Sequence, residues 1–278
     1  MNFHEGRRAM MRGAGFAVAH RLLDNSLPKS VHDALVTLVP NRERLGNNPL
    51  TMIVAHGLRG QGYTPGTPEA SIMPHLDALA YGLGASASFP DLPNSGNPIA
   101  NEWLAVLLQN LEQAYRRGDY VSLVGFSLGT RAVMLLLREI VRNPRLQKYA
   151  ERLRHIALLS PHSDEDLSYR YPKIPNYNTF FAPEAGGAIS EEERERIIQN
   201  FSELMQIIHT QNDGVVDPSL SQKLKTQYRV SNERTLVLPT GGHMEPSAGP
   251  AVSAFLRSQL SGLAQEIAPL RWRGQSVY

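Results

Sequence analysis

The chain predicts an α/β fold: a mostly parallel, doubly wound sheet with helices on both faces. Three observations carry this reading. Short segments rich in apolar and β-branched residues recur from Thr51 onward: "TMIVAH" (51–56), "ASASF" (85–89), "YVSLVGF" (120–126), "RHIALLS" (154–160), "LMQIIHT" (204–210) and "RTLVLPT" (234–240). Most of the stretches between them are long enough for a helix, the alternation expected of crossover connections. The 278 residues, 42% hydrophobic and 19% charged, suffice to bury a full core.

Residues 1–48 read as an N-terminal helical extension to a main domain at 49–278. Val31, Leu35 and Leu38 recur at helical spacing, with Ser30 able to cap and Pro40 ending the run. "GAGFAVAHRLL" (13–23) has the apolar look of a targeting segment, but His20 and Arg21 interrupt it and no small-residue cleavage pattern follows. No apolar run approaches the roughly twenty residues of a membrane span. The net charge of +2, with Lys and Arg scattered along the chain, argues against nucleic acid as partner. Without cysteine there is no disulfide framework, thiolate nucleophile or Cys-based zinc site, and a cytoplasmic protein is the expectation. The sequence is silent on oligomeric state.

"LVGFSLGT" (123–130) carries the chemistry. "YVSLV" reads as a buried strand and "LGTRAVMLLLREIV" (128–141) as a helix with an apolar stripe, so Gly125–Gly129 is a strand-to-helix turn. A bare GxSxG arises by chance about once in ten chains of this length, but chance does not supply the strand before it and the helix after it. Such an elbow needs glycines where the two backbones close on each other, and it presents Ser127 at its apex, near the positive end of the helix dipole. Ser127 is the candidate nucleophile.

A serine hydroxyl needs a base, normally a histidine oriented by a carboxylate. His155 and His209 fall within predicted strands and His162 just after one, where buried or edge roles are expected. His243, in the glycine-flexed "LPTGGHMEP" after the last strand, is the candidate base. "IIHTQNDGVVDP" offers Asp213 at a strand end. Asp217, followed by Pro218, reads as a helix cap, and Asp164 is a third carboxylate after a strand. Asp213 is preferred. The oxyanion needs two backbone N–H donors: Leu128, after the nucleophile, and Leu58, after "HG" (56–57) at an earlier strand end.

The segment 161–200 is long, and "SYRYPKIPNYNTFFAP" places Phe180 and Phe181 among prolines, as either a lid over an apolar substrate pocket or an aromatic loop packed on the core would. Ser190 and Glu193 form a capping box ahead of "EEERERIIQNF". "GLGASA" (82–87) follows a helix and leads into a strand, the reverse of what phosphate binding requires. GxxxxGK[ST] and HExxH are absent, so nucleotide hydrolysis and zinc proteolysis lack support.

With "HG", "GFSLG", an Asp after a late strand and a final "GGH" in this order, residues 51–262 resemble the α/β-hydrolase superfamily. More narrowly, "FPDLPNSGNPIANEWLAVLLQNL" (89–111), with Asp91, Pro93 and Trp103, is similar to small serine hydrolases of the retinoblastoma-binding-protein and YdeN type. The resemblance implies the α/β-hydrolase fold and a Ser127–His243–Asp213 triad without metal or organic cofactor. It also implies hydrolysis of a small ester or acyl substrate through an acyl-enzyme. A carboxylesterase is the first expectation. An amidase, peptidase, thioesterase or acyltransferase on the same site, or a non-catalytic binding module, is the alternative. The extension and the long 161–200 segment depart from the family pattern.

Overall fold

The computed structural model describes residues 41–58, 71–93, 96, 98–164, 176–182 and 186–269 of the chain. Their elements run β1 (Asn41–Arg44), β2 (Leu50–Ala55), α1 (Met73–Gly82), β3 (Ser86–Pro90), α2 (Ala100–Arg116), β4 (Tyr120–Phe126) and α3 (Leu128–Arg142). There follow β5 (Leu153–Leu159), α4 (Glu191–Phe201), β6 (Met205–Thr210), α5 (Pro218–Gln227), β7 (Thr235–Leu238) and α6 (Gly249–Ile267).

The strands form one sheet in the order β1-β3-β2-β4-β5-β6-β7. Pairings from β3 to β7 are parallel, and β1 runs antiparallel along β3. The mostly parallel sheet with helices on both faces is thus as expected, and each of the six apolar segments is a strand. The extension falls outside the described residues except for its last part. There Asn41–Arg44, assigned by sequence to the helical extension, is an edge strand of the main sheet.

Period-2 alternation sends successive residues to two cores. From β2, Ile53 and Ala55 join Trp103 and Leu111 of α2, Leu135 of α3 and Phe201 of α4 on one face. Leu50, Met52 and Val54 join Leu76 of α1 and Leu256 of α6 on the other. Being buried on both faces, the central strands read as continuous apolar runs. A polar seam crosses them: Ser122 Oγ donates to His155 Nδ1 at 2.8 Å, and His155 Nε2 donates to Gln206 Oε1 at 2.9 Å. α4 opens on the expected capping box, with Ser190 N to Glu193 Oε2 at 2.8 Å and Glu193 N to Ser190 Oγ at 3.3 Å.

The chain leaves β2 for β3 on one side and returns past it to β4 on the other. The sheet's topological switch point therefore lies between the carboxyl ends of β2 and β4, where ligands bind in open α/β sheets.

Candidate active site

Ser127 sits at this switch point, between β4 and α3, with φ 52° and ψ −124°, a conformation that non-glycine residues avoid. The turn is held from several sides. Ser127 N donates to Leu159 O at the end of β5 at 2.9 Å, and its carbonyl accepts from Thr130 N at 2.9 Å and Thr130 Oγ1 at 2.6 Å. A Cβ at Gly129 would collide with the carbonyl oxygens of Ala55 and His56, so α3 can start this close to β2 only as glycine. The first N–H groups of α3, Leu128 among them, have no partner within the helix.

Across the switch point, β2 ends in His56-Gly57-Leu58. His56 uses both ring nitrogens structurally: Nδ1 donates to Gly57 O at 2.8 Å and Nε2 accepts from Leu92 N at 3.1 Å. Its ring meets Trp103 edge-on with centroids 5.6 Å apart. The imidazole thereby fixes the turn that brings Leu58 to the switch point.

Asp213 follows β6, and its buried carboxylate gathers donors. Oδ1 accepts from Val215 N at 2.8 Å and Val216 N at 2.9 Å, while His243 Nδ1 lies 3.1 Å from Oδ1 and 2.9 Å from Oδ2. Burial pushes this carboxyl up, but hydrogen bonds from His209, His243 and the Val216 N–H outweigh burial and hold it well below the usual carboxylate range. Because Nδ1 of His243 faces only acceptors there, it carries the proton in the neutral ring, and Nε2 is left with the lone pair.

The loop that carries His243 is fastened to the loop that carries Asp213. Thr210 Oγ1 donates to Gly242 O, and Gly242 N donates to Asn212 Oδ1 at 3.0 Å. Gly241 at φ 129° and Gly242 at φ 50° allow the reversal. The His243 ring packs on Phe126, the neighbour of Ser127, with centroids 4.9 Å apart. The structure thus brings Asp213 and His243 into contact and sets the imidazole beside the elbow.

The other candidates are occupied elsewhere. Asp217 caps α5, accepting from Ser219 N at 2.9 Å. Asp164 is buried against the fully buried Arg131, with Tyr228 Oη donating to it at 2.7 Å and Arg194 Nε at 3.4 Å. His155 belongs to the polar seam, and the buried His162 meets Phe181 edge-on. Phe180 and Phe181, expected to line a substrate pocket, lie in the hydrophobic core: Phe180 packs on Trp103 at 5.2 Å, and the Arg131 guanidinium lies over the Phe181 ring. Of the lid expected at 161–200, residues 165–175 and 183–185 are outside the described residues. Thr210 and Asn212, which hold the two loops together, carry no motif of their own beyond polar side chains at a strand end, "HTQN". Among the described residues no helix is long and apolar enough to cross a membrane.

No protein-family model matches the chain, and no curated protein matches it in sequence. Solved structures do match its architecture. The ydeN gene product of B. subtilis superposes with TM-score 0.52 at 21% identity, over 76% of this chain and 98% of that one. Est1E from Butyrivibrio proteoclasticus, with ferulic acid bound, gives 0.58 at 14%, over 80% and 96%. A lipase-esterase related protein from Clostridium acetobutylicum gives 0.52 at 12%, over 80% and 100%. With the strand order, the elbow after β4 and the Asp213 and His243 loops after β6 and β7, this likeness identifies the architecture: the chain has the α/β-hydrolase fold.

Proposed function

We propose that the protein is a serine hydrolase of carboxylic esters, with Ser127 as nucleophile, His243 as general base and Asp213 as the carboxylate that orients it. The observation that carries this reading is the Asp213–His243 hydrogen bond beside a strained elbow serine. His243 Nε2 takes the Ser127 proton as Oγ attacks the acyl carbonyl. The tetrahedral oxyanion is held by the Leu58 and Leu128 N–H groups. His243 then gives the proton to the leaving alcohol, and water activated by the same imidazole cleaves the acyl-enzyme. Asp213 stays ionised throughout and stabilises the imidazolium. Esters are favoured as substrates because Est1E holds a carboxylic acid, ferulic acid, on the same fold, and because another neighbour is described as lipase-esterase related.

A fluorophosphonate probe tests the reading directly. It should label the wild type at Ser127, and Ser127→Ala should lose both labelling and turnover of p-nitrophenyl esters of graded chain length. Amide and thioester analogues in the same panel decide the leaving group. A folded wild type that resists the probe and leaves every ester intact would make the protein a binding module on a hydrolase fold.

A further inference from the structure

His209 has no place in the chemistry above, yet it touches the acid at its centre. It is the penultimate residue of β6 and is fully buried. Its Nε2 lies 3.1 Å from Val216 O and 3.3 Å from Asp213 Oδ2. Both neighbours are acceptors, so the imidazole proton sits on Nε2 and is shared between them. Nδ1, by contrast, is buried with no hydrogen-bond partner among the described residues. A core histidine kept only for packing would leave no reason to bury an unpaired ring nitrogen, since a leucine fills similar space without that cost. The single useful polar atom is the one aimed at the acid loop.

We infer that His209 is a positioning residue for the triad: through Nε2–H it fixes the Asp213 carboxylate and the Asp213–Val216 turn in the orientation that His243 Nδ1 requires. This rests on the hydrolase reading. The geometry divides the work between the two carboxylate oxygens. Oδ1 is held by the Val215 and Val216 N–H groups, which belong to the same turn and move with it. Oδ2 is the nearer to His243, and on its other side His209 Nε2, anchored in the sheet, approaches to 3.3 Å. Rotation of the carboxylate about its Cβ–Cγ bond is therefore checked by a group that does not share the loop's motion. The same N–H, reaching Val216 O, clasps the far end of the turn. The depressed titration of Asp213, to which His209 contributes, agrees with a donor at this position.

Three substitutions test it, since the amide nitrogen of Gln falls where imidazole Nε2 lies, whereas that of Asn falls where Nδ1 lies. His209→Leu should lower kcat for a p-nitrophenyl ester about tenfold to a hundredfold, the size of a lost hydrogen bond to a charged group, with KM within about twofold. The low-field proton resonance of His243 Nδ1–H should weaken or shift as its acceptor loosens. His209→Gln should recover most of both signals, and His209→Asn neither. The inference is overturned if Gln is as impaired as Leu and Asn, if all three keep wild-type kcat, or if the resonance is unchanged in folded His209→Leu. The resonance needs no substrate. A wild type without turnover or probe labelling therefore sinks the hydrolase reading, while the proton spectrum still decides the role of His209.

Discussion

Gly57 and Ser127 are packed against each other across the switch point: a Cβ built on Gly57 would lie 2.9 Å from the Ser127 Cβ and 3.4 Å from its Oγ. The first distance is below what real Cβ atoms tolerate, so any side chain at 57 must displace the elbow serine, the turn carrying Leu58, or both.

Gly57→Ala should therefore lower kcat by about a hundredfold or more, the usual cost of misplacing one oxyanion donor, while the protein stays folded. Ester turnover beside a thermal melt checks it. A fully active alanine variant would place the oxyanion donors elsewhere.

The three carboxylates after strands should separate cleanly. Asp213→Asn should lower kcat by as much as ~10⁴. Asp217→Asn, which weakens the cap of α5, should cost about 1 kcal/mol or less of stability and leave turnover intact. Asp164 is no ordinary loop carboxylate, since it faces a guanidinium with no exposed surface. Breaking such a pair costs about 3–5 kcal/mol, so this variant should melt far below the other two. Parallel melts and kinetics on the three proteins provide the comparison.

Phe180→Ala should act as a core deletion, costing about 3–5 kcal/mol in denaturant unfolding, because the ring is fully buried between Trp103 and the rest of the main core. A selective change in preference for long acyl chains, without loss of stability, would return Phe180 to the lining of a substrate pocket.

Acid should weaken the fold through His155. Burial lowers its pKa from 6.5 to about 4, with the charge of Arg234 adding to burial and the hydrogen bond to Gln206 opposing both. Between those values the unfolded chain binds the extra proton and the folded one does not. Stability is therefore complete above about pH 6.5 and declines as the pH falls to about 4, by roughly 3 kcal/mol in all. His155→Gln, though less stable at pH 7, should lose much less over that interval in urea titrations. Equal losses in the two proteins would exclude His155 as the source.

What the sequence made legible follows from burial. β2 to β7 are apolar because the sheet is covered on both faces, and apolar runs bounded by turn residues can be read without a structure. β1, "NRER", carries no such signal. The elbow was legible because sterics restrict its residue types. Asp213 was legible only as a preference: Asp164 also follows a strand, and the approach of His243 across thirty residues of chain separates the two. Phe180 and Phe181 stay undecided in the sequence, because aromatic residues among prolines look the same whether they line a cleft or fill a core. His209 stayed hidden because its period-2 position reads as a core residue, which it also is.

One guanidinium has a wider bearing. Arg131, a turn beyond the elbow, holds Asp164 at the start of the long insertion and the carbonyls of Phe180 and Gly187 towards its end. Both are thus tethered to a single point on the helix that follows Ser127. One guanidinium on α3 therefore couples the turn after β5 to the backbone ahead of α4, so its loss would free both at once.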